Sequence, residues 1–165
     1  MSDEQQPAAS ADEATPEQIF EIQRIYLKDA SFESPTVPQI FTQEFKPETN
    51  VDLNSVHRKL QDNIYEVELK ITLTAKVKDD IAYLVEIKQA GIFGAAGYDD
   101  EQMGHMLSSY CPNLLFPFAR EVISDLIVKG GFPQMLLAPI NFDALYMQTL
   151  QEKQKAAEDD AATKH

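Results

Sequence analysis

Few side chains in this 165-residue sequence have a type and spacing that support chemistry. Cys111 with His105 or His57 would make a thiol nucleophile and its base, the pairing that covalent catalysis uses. Cys111 precedes Pro112 in an apolar segment, however, and a free cysteine in such surroundings is usually an inert packing group. His105 follows Glu101 by one helical turn, with Asp99 and Asp100 close by. One imidazole and flexible carboxylates do not amount to a preformed metal site. Gly91, Gly94 and Gly97 stand between a strand pattern and a helix pattern, where a phosphate-cradling loop would lie. Their spacing is G-x-x-G-x-x-G, the dinucleotide fingerprint is G-x-G-x-x-G, and the strand before them is antiparallel, so they read as a flexible corner. No catalytic residue, cofactor or metal site is expected, and the chain reads as something other than an enzyme.

Charge narrows the partners further. Acids outnumber bases 27 to 14, a net charge of −13, and the pI is near 4.5. That sign opposes the attraction to phosphate that supplies most nucleic-acid affinity, which argues against nucleic acid or an anionic membrane as partner. Residues 1–17 carry five acids and no base, and 151–165 carry four acids and three lysines, leaving 18 acids and 11 bases over 18–150. An acidic body steers basic partners and cationic unfolded chains toward itself. A single cysteine excludes an internal disulfide and fits a reducing compartment. No apolar run has the length of a membrane span, and the N-terminus is acidic where a signal peptide is basic and then apolar. The expected location is the cytoplasm, without direct insertion into a membrane.

The function must therefore lie in surfaces, and the secondary-structure elements determine those. From Tyr65 to Val77 every odd position is apolar and every even one is Glu, Lys or Thr, which predicts a long strand with one wet face. Lys78-Asp79-Asp80 reads as its turn, and Ile81, Tyr83, Val85 and Ile87 resume an apolar face opposite Ala82, Leu84, Glu86 and Lys88. Ile19 to Phe32 reads as another strand whose alternation slips around Gln23-Arg24, and 51–60 as a weaker fourth. The connection between them holds Pro35, Pro38 and Pro47, which exclude regular structure, and displays Phe41 and Phe45. Leu114 to Lys129 is apolar but for the stripe Arg120, Glu121, Ser124 and Asp125, so this helix needs cover from two sides, a sheet and a second subunit. Gly130, Gly131 and Pro133 end it. A last helix starts at Asn141 as N-cap, with Phe142, Leu145, Tyr146, Thr149 and Leu150 on one face. The fold class is α+β, a four-stranded antiparallel sheet packed against C-terminal helices. A domain over 18–154 is flanked by an acidic arm, 1–17, and a tail from Lys155 to residue 165, both expected to be disordered.

Four segments, Ile22 to Glu33, Tyr83 to Phe93, Tyr110 to Glu121 and Gly131-Phe-Pro-Gln through Asn141 to Leu145, occur in the order of the SecB family of bacterial protein-export chaperones, which residues 19–150 resemble. The resemblance implies an ATP-independent holding chaperone that keeps unfolded precursor proteins competent for export and delivers them to the translocase motor SecA. It implies a homotetramer, a dimer of dimers packed through the long helix. Carried over by motif, Asp29, Glu33, Leu84 and Glu86 match the sheet face that meets SecA, and Phe41, Phe45, Leu145 and Tyr146 match a groove for client peptides. Val85, Ile87, Gln89, Tyr110, Phe118 and Val122 match positions tied to tetramer assembly. Phe118 stands where many members have Tyr, Lys129 where Arg is common, and Phe45 where some have Trp. Two alternatives stand beside this reading: a small-ligand enzyme using Cys111 or His105, and a chaperone of the same fold serving another partner, such as a toxin–antitoxin pair.

Overall fold

The computed structural model describes residues 15–163, so the expected acidic arm lies, up to residue 14, outside the described residues. Four strands, β1 (Ile19–Glu33), β2 (Glu48–Gln61), β3 (Ile64–Val77) and β4 (Asp80–Ala96), make one antiparallel sheet in the order β1-β4-β3-β2. Helix α1 (Asp100–His105), a π-helical turn over Met106–Tyr110 and α2 (Cys111–Lys129) follow one another without a break, and α3 (Phe142–Thr163) comes after a loop. The class is the α+β one expected. No described helix is long and apolar enough to cross a membrane.

Strict alternation makes the two sides of the sheet different. On β3 the odd residues Val67, Leu69, Ile71, Leu73, Ala75 and Val77 are buried, and on β4 so are Tyr83, Val85, Ile87 and Phe93. This inner face meets a ridge of residues four apart, Leu107, Cys111, Leu115, Ala119, Ile123 and Ile127, all buried, which places them on one side of a continuous helix. The expected turn sits at Lys78-Asp79, between the paired residues Val77 and Asp80. A second tight turn, which the composition did not flag, joins Gln61 to Ile64.

Several expectations change. The slip in β1 is a bulge between Ile22 and Arg24, and a second lies between Leu27 and Asp29, so this edge strand is broken twice. β2 is the other edge and mostly exposed, which is why its apolar pattern is faint. Gly91 and Gly94 are not a flexible corner, because β4 runs through both, paired on each side. Gly91 is needed for space: a Cβ there would lie 2.8 Å from the Phe93 ring and 3.1 Å from the Arg24 carbonyl. The corner comes later, at Gly97, where φ is +80°. The long connection is irregular except for a 3-10 turn over Gln39–Thr42 that buries Ile40 in the core. The helical region begins at Asp100, capped by Asp99, whose carboxylate accepts from the Gln102 N–H at 2.8 Å. Asn141 caps α3 as expected, its Oδ1 accepting from the Ala144 N–H at 3.0 Å. Phe142, Tyr146 and Leu150 turn inward while Leu145 and Thr149 face outward, so the α3 face is narrower than the sequence pattern. The stretch from Lys155, expected as a tail, is helical to Thr163 and exposed, since its Ala, Glu and Lys favour helix without any packing.

The outer face carries one charged knot. Glu66 on β3 is almost fully buried, and its carboxylate accepts from Tyr26 Oη, from Lys28 Nζ at 3.0 Å and from Arg58 Nε at 3.0 Å. Lys28 also reaches Glu68 at 2.8 Å. These bonds tie both edge strands to the centre of the sheet. Burial opposes ionisation of Glu66, but the hydrogen bonds from Tyr26 and Lys28 and the charges of Lys28 and Arg58 outweigh it and hold its carboxyl below the ordinary range. Burial and the bond to Glu66 push the Tyr26 phenol up to about 12. A carboxyl depressed in the folded state adds stability above its unfolded pKa and loses it as pH falls through the folded one. Glu66→Gln is therefore expected to cost about 1–3 kcal/mol at neutral pH. Urea unfolding as a function of pH checks this, with the gap to the parent chain closing on acidification below the carboxylate range.

Candidate functional site

The residues with chemical promise do not form a reacting group. Cys111 belongs to the inward ridge, fully buried, and that burial pushes its thiol up to about 12, so at neutral pH it is not a thiolate. His57 projects from β2 and is paired in register with Val67. Burial, with the charge of Lys153 on α3, lowers its pKa. His105 is engaged elsewhere, with its Nε2 2.7 Å from Asp143 Oδ1, which also accepts from Ser109 Oγ. Those two contacts hold the Asp143 carboxyl below its usual range and fasten the start of α3 to α1 and the π turn. Among the described residues no three His, Cys, Asp or Glu side chains converge as metal ligands.

The outer sheet face collects its four expected residues. Register sets Glu33 opposite Leu84, Ser31 opposite Glu86 and Asp29 opposite Lys88. Strand spacing of about 4.8 Å and a two-residue repeat of about 7 Å put all of them within one patch roughly 14 Å long. Asp29 and Glu33 are exposed, and Leu84 and Glu86 half-buried. Glu86 is not idle: Lys70 Nζ lies 3.4 Å from its Oε1, and Thr72 Oγ1 donates to its Oε2 at 3.3 Å. This face is the one turned away from α2.

The expected groove residues divide into two places. Phe41 and Phe45 pack on Phe132, with ring centroids 5.1 and 5.5 Å away, and Tyr83 and Phe32 complete the cluster at 4.9 and 6.4 Å from the same ring. Phe41 remains 51% exposed. Tyr146 instead lines an open groove of about 650 Å³ with Phe20, Tyr98, Met106, Tyr110 and Met147, rimmed by Glu101 and His105. Leu145 is not part of its wall. Phe32 marks one patch and Phe20 the other; they pair with Val85 and Ala95, ten residues apart on β4, which is about 33 Å along the sheet. Within one chain Phe41 and Phe45 thus lie in one apolar patch and Tyr146 in another, at opposite ends of the helix-bearing side, with Leu145 in the wall of neither. Sequence reasoning passed over Phe132, the hub of the first, although a lone aromatic between Gly131 and Pro133 was a visible signal. It passed over Phe20 and Met106 because their strand and helix patterns account for them as core.

The expected assembly residues also divide. Val85 and Ile87 are fully buried under the chain's own helix, and Gln89 is buried with Nε2 donating to the Tyr26 carbonyl at 3.0 Å. None of the three touches a surface, which is what inward parity on a central strand demands. Tyr110 and Phe118, each 45% exposed, and half-buried Val122 form with Leu114 a second four-residue ridge beside the buried one. Among the described residues that ridge is only partly covered.

The sequence profile described as preprotein translocase subunit SecB matches residues 13–153. The chain is 56% identical over 164 residues to the protein-export protein SecB of Thioalkalivibrio sulfidiphilus, covering 98% of this chain and 96% of that one. It is 52% identical over 156 residues to that of Methylococcus capsulatus, covering 94% and 99%. Among solved structures, a Mycobacterium tuberculosis SecB-like chaperone in complex with an antitoxin peptide superposes with a TM-score of 0.60 at 16% identity, over 73% of this chain and 87% of that one.

Buried and protonated, Cys111 should resist a water-soluble thiol reagent at neutral pH in the native chain and react at once in denaturant. Fast labelling of the native chain, measured by absorbance of the released chromophore, would return the thiol to consideration as a nucleophile.

Proposed function

We propose a holding role on this premise: the chain belongs to the SecB family of protein-export chaperones, which are not enzymes. In this reading it binds precursor proteins in the cytoplasm while they are unfolded, without ATP, keeps them competent for translocation and delivers them to SecA. The observation that carries the reading is the pair of apolar patches about 33 Å apart on one side of the sheet. A stretch of extended client chain about ten residues long spans that distance.

Capture of this kind is hydrophobic and reads little sequence. Aromatic and methionine side chains adapt to many apolar segments, which folded proteins hide and unfolded ones expose. The net charge of −13 favours basic segments among them. Two patches engaging one chain raise the effective concentration of the second contact, so modest contacts give firm retention, and copies in an assembly multiply the effect. Binding alone requires no cofactor.

The outer face, with Asp29, Glu33, Leu84 and Glu86, is free for SecA while the client occupies the other side. The partly covered ridge of Tyr110, Phe118 and Val122 supports a homotetramer, a dimer of dimers joined through the long helix. Val85, Ile87 and Gln89 act on assembly indirectly in this account, by seating α2 so that the second ridge points outward. The antitoxin peptide on the mycobacterial chaperone supports peptide capture by this fold. It does not favour an antitoxin client here, since at 16% identity the likeness is one of fold.

Phe41→Ala with Phe45→Ala is expected to weaken retention of an unfolded precursor by roughly 10-fold or more, with the thermal transition retained. Loss of that transition would make the pair ordinary core. Phe118→Asp is expected to reduce the assembly to smaller species in native mass spectrometry, while an unchanged tetramer mass would place the interface elsewhere.

A further inference from the structure

We propose that Lys70 is a specificity-determining residue of the outer-face docking site, occupying Glu86 in the free chaperone until a basic partner displaces it. This rests on the reading that Glu86 meets SecA.

Both oxygens of Glu86 already have partners from β3, Lys70 on Oε1 at 3.4 Å and Thr72 on Oε2 at 3.3 Å. The two contacts are long, and the Lys70 and Glu86 side chains are 39% and 35% exposed, so water competes with each. Lys70 reaches Glu86 diagonally, because its direct cross-strand neighbour is Lys88, and like charges opposite one another repel. The Lys70 ammonium is thus placed on Glu86, two residues along β4 from its like-charged neighbour. Lys28, on the same face, is held very differently, clamped between Glu66 at 3.0 Å and Glu68 at 2.8 Å against a carboxylate that is nearly buried. The Glu66 knot is closed to a partner, and the Glu86 end is exchangeable.

The chemistry that wins such an exchange is a guanidinium. It engages both carboxylate oxygens through two parallel N–H bonds, whereas the Lys70 ammonium engages one. Leu84 lies two residues along the same strand, about 7 Å away on the same face, and its half-buried side chain offers an apolar contact. The segment this site fits therefore presents an arginine with an apolar side chain beside it. Lys70 then sets a threshold that a lone ammonium does not overcome.

The test is a calorimetric titration of SecA with the full chain carrying Lys70→Met, Glu86→Gln, both, or Lys88→Met. Lys88 has no carboxylate within ion-pair distance among the described residues, so its removal changes the charge of the face without releasing Glu86. Lys70→Met should tighten binding about 3- to 5-fold, the scale of one exposed ion pair, and the gain should vanish in the Glu86→Gln background. Lys88→Met should give a smaller gain that is the same in both backgrounds. Equal gains for Lys70→Met in the two backgrounds, or no gain, would overturn the displacement, and weaker binding would show that Lys70 itself touches the partner. Unchanged affinity on Glu86→Gln alone would instead overturn the docking reading beneath it. Lys70→Gln replaces Lys70→Met should the latter lower the thermal transition.

Discussion

The rest of the structure depends on one packing event, the seating of the ridge Leu107, Cys111, Leu115, Ala119, Ile123 and Ile127 on the inner face of β3 and β4. A four-residue ridge lies slightly oblique to its helix axis, and an alternating strand offers a flat apolar floor, so the two surfaces match over the whole of α2. Each side chain of this set loses nearly all contact with water, on the order of 1.5–3 kcal/mol for each large one. Shifting β3 by one residue would present Glu66, Glu68, Lys70, Thr72 and Thr74 to the helix, so the register is fixed as strongly as the core.

From that event the surfaces follow. Because the inner face is covered by the chain's own helix, the outer face must be polar and stable by itself, and the Glu66 knot joins its edges. Because α2 is apolar on more than one ridge, seating the first leaves Tyr110, Leu114, Phe118 and Val122 in need of cover. Because the helix ends near Phe32 and starts near Phe20, the aromatic residues left over collect at its two ends. A chaperone needs apolar surface that stays available without collapsing the fold, and here each patch is anchored on a side chain of the sheet.

The sequence made the faces legible and left the distances hidden. Period-two spacing alone placed Leu84 and Glu86 together, and β1 register then brought Asp29 and Glu33 beside them as the resemblance implied. The slip at Gln23-Arg24 was readable as a break in alternation and is a bulge. Gly91 misled because a glycine in a strand looks like a turn, and only the Phe93 ring lying against it explains its place. The spacing of the groove residues was hidden because a motif match gives roles without separations, and within the chain the length of β1 divides Phe41 and Phe45 from Tyr146. Val85 and Ile87, which the resemblance ties to tetramer assembly, point inward, as their period-two parity with Tyr83 already indicated. The helical run past Lys155 follows from propensity, which a composition argument for disorder overrode.

The measurement that tests the central claim most directly is a calorimetric titration of the full chain with one precursor protein, offered folded and then held unfolded in the same buffer, with native mass recorded on the same sample. The account predicts binding of the unfolded form alone, by a species near four times the chain mass. Equal binding of both forms, or of neither, would contradict capture through the two apolar patches.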